Sequence, residues 1–170
     1  SEIIFYEDNS ISFTFDVQDV DNLDDELSIF IQDEINFGII SISGIQATIL
    51  PNQDISGDFS FTYQVLDGQL FSNPSTISIQ ILPVNDSPEI SNILNQVINE
   101  DEIFYYQISA SDVDSQDLIF NSNIIEDANI TIDGQTLIVE PVSNFNGDLF
   151  IEISVSDGEF LDLNSFILNV

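Results

Sequence analysis

Hydrophobic and polar residues alternate along most of this chain with a period of two. Ile11, Phe13, Phe15 and Val17 are separated by Ser12, Thr14 and Asp16. Phe59, Phe61, Tyr63 and Val65 repeat the pattern, as do Leu149, Ile151, Ile153 and Val155. Ile77, Ile79 and Ile81 form another such row, echoed by Phe166, Leu168 and Val170. Successive side chains of a strand point to opposite faces, so this alternation predicts strands with one face buried and one wet. No window carries a convincing 3.6-residue period. Ser43-Gly44, Asp67-Gly68, Asp133-Gly134 and Asp157-Gly158 punctuate the rows as turns.

The pattern occurs twice. Glu7-Asp8 recurs as Glu100-Asp101, and Asp19-Val20-Asp21 as Asp112-Val113-Asp114, both 93 positions on. Pro51, Gly57-Asp58 and Asp67-Gly68 recur as Pro141, Gly147-Asp148 and Asp157-Gly158, 90 positions on. Two copies therefore fill the chain, with boundaries expected at 1–86 and 87–170. About seven short strands per copy predicts an all-β chain of two tandem immunoglobulin-like β-sandwiches.

Composition then sharpens the picture. The 170 residues include 31 Asp plus Glu and no Lys, Arg or His, a formal charge of −31. Nucleic-acid binding needs basic residues against phosphate, and anionic membranes would repel this surface. With no His, Cys or Lys, catalytic triads, Schiff bases, zinc fingers, disulfides and Lys-Asn crosslinks are excluded. Hydrophobic residues make up 43% of the chain, enough to build a core, so acidity here does not mean disorder. No apolar run approaches the ~20 residues of a membrane helix, and no basic stretch marks a signal peptide.

The predicted topology gathers the acids. With strands labelled A to G, Asp19, Asp21 and Asp67 lie at the top of the first sandwich. Glu7, Asp54 and Asp58 lie at its bottom. The segment Pro83-Val84-Asn85-Asp86-Ser87-Pro88 leads into the second copy, whose top carries Asp112, Asp114 and Asp157. One copy's bottom, the linker and the next copy's top are expected to converge.

Glu in strand A, D-x-D after strand B, Asp-Gly after strand F and an N-D-x-P linker resemble cadherin repeats. The form with P-x-x-x-x-x-G-D before strand F resembles the cadherin-like tandem repeats of large bacterial surface proteins. The resemblance covers the whole chain, twice. It implies Ca²⁺ bound between consecutive repeats. The ligands it implies are Glu7 and an acid of the E–F turn, Asn85, Asp86 and the Ser87 carbonyl from the linker, and Asp112, Asp114 and Asp157. The acid-basic-acid motif of cadherins at the E–F turn is missing here. Asp54 aligns with Asn144, which favours Asp58 and its counterpart Asp148 as the shared acid. Asp19, Asp21 and Asp67, and at the other end Glu100 and Asp148, are expected to be half-sites, filled when another repeat or subunit docks.

The donor chemistry agrees with this implication. Ca²⁺ takes 6–8 oxygen ligands from carboxylates, amides and backbone carbonyls. Converging carboxylates cost about 1 kcal/mol per pair at 4 Å even at the dielectric of water, and no side chain here offers a counter-charge. Zinc is disfavoured because its N and S ligands are absent.

Blander readings accompany these. Asp24-Asp25-Glu26 is expected to be a solvated loop, and the alternating aromatic rows to be core. Asn129-Ile130-Thr131 and Asn85-Asp86-Ser87 match a glycosylation sequon, a pattern common by chance. Carboxylate pairs can serve glycoside hydrolysis, but these sit in turns, in a repeated register, so no enzyme is expected. The expected function is structural: a calcium-rigidified segment of an extracellular or cell-surface fibre, stalk or adhesin, with further copies of the repeat as partners. Those copies would lie in the same chain or stack head to tail between subunits. The alternatives are a module recognising glycan or protein through its loops, and an accessory domain of a secreted hydrolase.

Overall fold

The alternating rows form strands throughout the computed structural model, which describes residues 2–20 and 23–170, the side chain of Asp25 excepted. The chain divides into two compact units, Ser1–Val84 and Asn85–Val170. This division falls two residues before the expected one. Asn85 and Asp86 belong with the second unit because their hydrogen bonds go to Asp157 and Asp114.

The first unit contains β1 (Glu2–Tyr6), β2 (Ile11–Thr14), β3 (Ser28–Ile31), β4 (Gly38–Ser43), β5 (Gln46–Pro51), β6 (Gly57–Leu66) and β7 (Ser75–Leu82). One sheet has the order β1-β7-β6-β3 and the other β2-β5-β4. β1 runs parallel to β7 while the remaining pairs are antiparallel. Seven strands in this order make an immunoglobulin-like sandwich. Phe15, Phe37, Ile49, Phe61, Ile77, Ile79 and Ile81 fill the space between its sheets. Each such burial contributes about 1.5–3 kcal/mol relative to exposure. The expected strand from Ile11 to Val17 is shorter than its alternation: β2 ends at Thr14, although Phe15 still donates its N–H to the Ile45 carbonyl at 2.9 Å.

The second unit contains β8 (Glu89–Ile90), β9 (Gln96–Val97), β10 (Phe104–Gln107), β11 (Ala110–Ser111), β12 (Ile119–Ser122), β13 (Ala128–Asp133), β14 (Thr136–Pro141), β15 (Asp148–Ser156) and β16 (Leu161–Asn169). Its main sheets are β12-β15-β16-β9 and β10-β14-β13. The first strand is split: β8 pairs with β11 and β9 runs parallel to β16. Side chains bridge the break. Asp162 accepts the Ile90 N–H at 2.9 Å, Asn164 the Ile93 N–H at 3.2 Å, and Asn95 the Ile167 N–H at 2.9 Å. Leu137, Val139, Ile151, Ile153, Val155 and Leu168 are fully buried in this unit's core.

The backbone repeats as faithfully as the sequence. Asp8 and Asp101 both adopt positive φ (64° and 63°), as do Asp54 and Asn144 (56° and 62°) and Gly44 and Gly134 (60° each). Asp and Asn tolerate this left-handed region better than other non-glycine residues. The exchange of Asp54 for Asn144 thus preserves a turn conformation rather than a charge. Among the described residues there is no α-helix; Asp24–Glu26 forms a single 3₁₀ turn, with Glu26 Oε2 accepting the Leu23 N–H at 3.1 Å. That segment was expected to be a solvated loop.

Candidate metal centre

The D-x-D and D-G motifs of the second unit fold into the same local device. Asp112 Oδ1 accepts the N–H groups of Asp114 and Ser115 at 2.8 and 2.7 Å. Asp157 Oδ1 accepts those of Glu159 and Phe160, both at 2.7 Å. An Asp that bonds the backbone two and three residues on makes a tight turn. One carboxylate oxygen is thereby committed, and the other is held at a set position.

The linker meets the committed acids. Asn85 Nδ2 donates to Asp157 Oδ2 at 2.6 Å, and the Asp86 N–H donates to Asp114 Oδ2 at 2.8 Å. Asp112 Oδ2 remains: it is shielded from solvent and has no hydrogen-bond partner. Asn85, Asp86, Asp112 and Asp157 are half-buried, while Asp114 is exposed. Among the described residues, no three acidic side chains converge as a closed metal-binding group. Asp112 and Asp157 thus spend one oxygen on their own turns, and Asp157 and Asp114 spend one on the linker.

The charge state of Asp157 follows from these contacts. The Asn85 amide, and behind it the N–H groups of Glu159 and Phe160, hold its carboxyl below the usual carboxylate range. Hydrogen bonds to the ionised form favour that form. Asp67, its counterpart, is also lowered, chiefly by the N–H groups of Leu70 and Gln69, each 2.7 Å from Oδ1. Asp67 and Asp19 line one hollow in the first unit together with Tyr63 and Phe71. Asp21, the third residue expected there, lies outside the described residues.

The remaining candidates are dispersed. Glu7 is the one buried charged residue among those described, 2% exposed, and its Oε1 accepts the Val84 N–H at 2.8 Å. Glu100, its counterpart, is exposed. Asp58 and Asp148 are exposed at the start of β6 and β15 and accept side-chain amides of their cross-strand partners, Gln80 at 3.3 Å and Asn169 at 2.6 Å. Asp54 serves its turn.

The sequence reading missed a repeated edge feature. Asp33 Oδ2 accepts the Thr62 N–H, and Asn123 Oδ1 accepts the Glu152 N–H at 2.9 Å, each extending a short edge strand through a side chain. The 90-residue offset marks this pair, but the Asp-for-Asn exchange hides it.

Comparison with known proteins agrees with this architecture. Residues 2–80 match the family described as a Bacterial Ig domain. The extracellular cadherin domains 3-6 of protocadherin gamma B2 align with 99% of the chain at a TM-score of 0.63 and 15% identity, this chain covering 45% of that one. Human protocadherin-24 EC1-2 aligns with 99% of the chain at a TM-score of 0.59 and 14% identity, with 93% of that chain covered. An endo-fucoidan hydrolase of glycoside hydrolase family 107 aligns at a TM-score of only 0.44 and 17% identity; this chain spans 27% of its length. No curated protein matches by sequence. The chain folds as two immunoglobulin-like β-sandwich units, a fold it shares with those cadherin domains. No helix among the described residues is long and apolar enough to cross a membrane.

Proposed function

We propose that this protein is a non-catalytic structural repeat of an extracellular fibre, stalk or adhesin, stiffened by Ca²⁺. The observation that carries the reading is Asp112 Oδ2, a carboxylate oxygen shielded from water with no hydrogen-bond partner. The Asp114 and Ser115 N–H groups satisfy the other oxygen of this carboxylate; leaving one shielded oxygen without a partner is costly, and this chain contains no Lys, Arg or His to pair with it. A hard cation is the partner that remains, and the neighbours are all oxygen donors, as Ca²⁺ requires.

Asp112, Asp114, Asp157, Asp86 and the Asn85 amide would hold the ion on the second unit. On the cadherin resemblance, Glu7 and Asp58 would serve as calcium ligands of the first unit. The ion would neutralise carboxylates that otherwise repel, and would tie the linker to the turns of Asp112 and Asp157 in the second unit. Asp19, Asp21 and Asp67, and separately Glu100 and Asp148, would be completed by further copies of the repeat. Extracellular calcium modules bind at about 10⁻⁴–10⁻³ M, which suits a site outside the cell.

Calorimetric titration with Ca²⁺, followed by small-angle scattering with Ca²⁺ and with EGTA, tests the reading. Heat of binding in that range and a narrower distribution of particle dimensions with calcium are expected. No binding heat up to about 10 mM, about tenfold above the weak end of the expected range, would remove the calcium reading.

A further inference from the structure

The outer face of the second unit's β12-β15-β16-β9 sheet carries exposed apolar side chains. Strand register places Ile119 and Leu161 in one row with Ser156, and Leu163 beside Ser154. Phe150 and Ile167 share another row, and Glu152 pairs with Ser165 between them. Ile119, Phe150, Leu161 and Leu163 are each more than half exposed. The first unit supplies an internal control. Where the second carries the cross-strand pair Phe150 and Ile167, the first carries Ser60 and Ser78, both exposed and likewise paired. The same sandwich forms with hydroxyls at this pair, so Phe150 and Ile167 are surplus to folding. Apolar residues gathered on one exposed face mark an interaction surface.

The size and charge of the face select its occupant. Four strands about 4.8 Å apart and nine residues at about 3.3 Å each bound it at about 400 Å². A stable interface between two globular proteins needs about 800 Å² per partner. A second copy would also bring an acidic chain of charge −31 against Glu152. A short extended segment suits the dimensions better. Along β15, Phe150 and Ser154 are four residues apart, or about 13 Å, with Glu152 midway and Leu163 beside Ser154. We infer that this face binds an extended peptide with two apolar residues four positions apart and a Lys or Arg midway between them. The apolar side chains would rest on Phe150/Ile167 and on Leu163/Leu161, and the cation would reach Glu152. This inference does not depend on calcium.

The test is amide-resolved NMR of the full chain titrated with the blocked heptapeptide Ser-Leu-Ser-Lys-Ser-Phe-Ser, with a version carrying Glu in place of Lys as control. Shift changes confined to β12, β15 and β16, absent with the Glu peptide, are expected. The double variant F150S/I167S, which installs the first unit's residues, should bind at least tenfold more weakly. E152Q should bind about threefold more weakly, the scale of one exposed ion pair, and it leaves the apolar surface untouched should the double variant fold poorly. Shifts spread evenly over acidic surfaces, or binding unaffected by F150S/I167S and E152Q, would overturn the inference. So would concentration-dependent dimerisation abolished by F150S, which would make a second copy the occupant.

Discussion

Asn85 donates its side-chain amide to Asp157 Oδ2 at 2.6 Å. This bond joins the linker to the turn between β15 and β16 and leads the contacts that keep the Asp157 carboxyl ionised below the ordinary range. It is also where the sequence motif becomes chemistry: N-D-x-P and D-G, 72 residues apart, meet as donor and acceptor.

A carboxyl whose folded pKa is depressed contributes stability above its unfolded value of about 3.9, and that contribution is lost as pH falls through the folded value. Asn85→Ala removes the leading cause. In EGTA, carboxyl-carbon NMR titration should show Asp157 of the variant protonating at higher pH than in wild type. Asp67, held by the Leu70 and Gln69 N–H groups, should not move.

Glu7 accepts the Val84 N–H from a buried position. Glu7→Ala leaves that donor unmatched and should destabilise the first unit by about 1–3 kcal/mol, read by urea unfolding in EGTA. Glu7→Gln keeps an acceptor oxygen and removes a buried charge, so its loss in EGTA should be clearly smaller.

Gly38 opens β4 opposite Pro51, and a Cβ there would lie 2.2 Å from the Leu50 carbonyl oxygen. The equivalent Ala128 pairs with Pro141 and is accommodated in the second unit. Gly38→Ala should therefore cost about 1–3 kcal/mol as overpacking, measured by thermal melting. A neutral result would show that the Leu50 backbone moves aside freely.

Much of the fold was legible because side-chain period and turn chemistry are local. The rows Leu149–Val155 and Ile77–Ile81 are buried as the alternation requires, and the positive-φ residues Asp8/Asp101 and Gly68/Gly158 fall at the sequence-derived repeat spacing. What escaped depends on distant partners. The first strand of the second unit is split because Asp162 and Asn164 on β16 take over its N–H groups, which no local pattern signals. Glu7 and Glu100 match in sequence but differ in burial, and the partner of Glu7 is the Val84 N–H, 77 positions away. Within the candidate site, the motifs pointed to Asp112, Asp114 and Asp157. The amides of Ser115, Glu159 and Phe160, which fix one oxygen of two of those acids, are backbone groups that residue type does not announce.

The most direct test of calcium stiffening is thermal melting of the wild type and of Asp112→Asn, each in 10 mM Ca²⁺ and in EGTA. At the ten- to hundredfold excess over the dissociation constant that 10 mM gives, binding adds about 1.4–2.7 kcal/mol, so the wild type should melt about 3 °C or more higher with calcium. Asp112→Asn replaces the orphan carboxylate oxygen with an amide, and should lose at least half of that rise while melting no lower than wild type in EGTA. Equal melting with calcium and with EGTA, or a full calcium response in Asp112→Asn, would contradict the account.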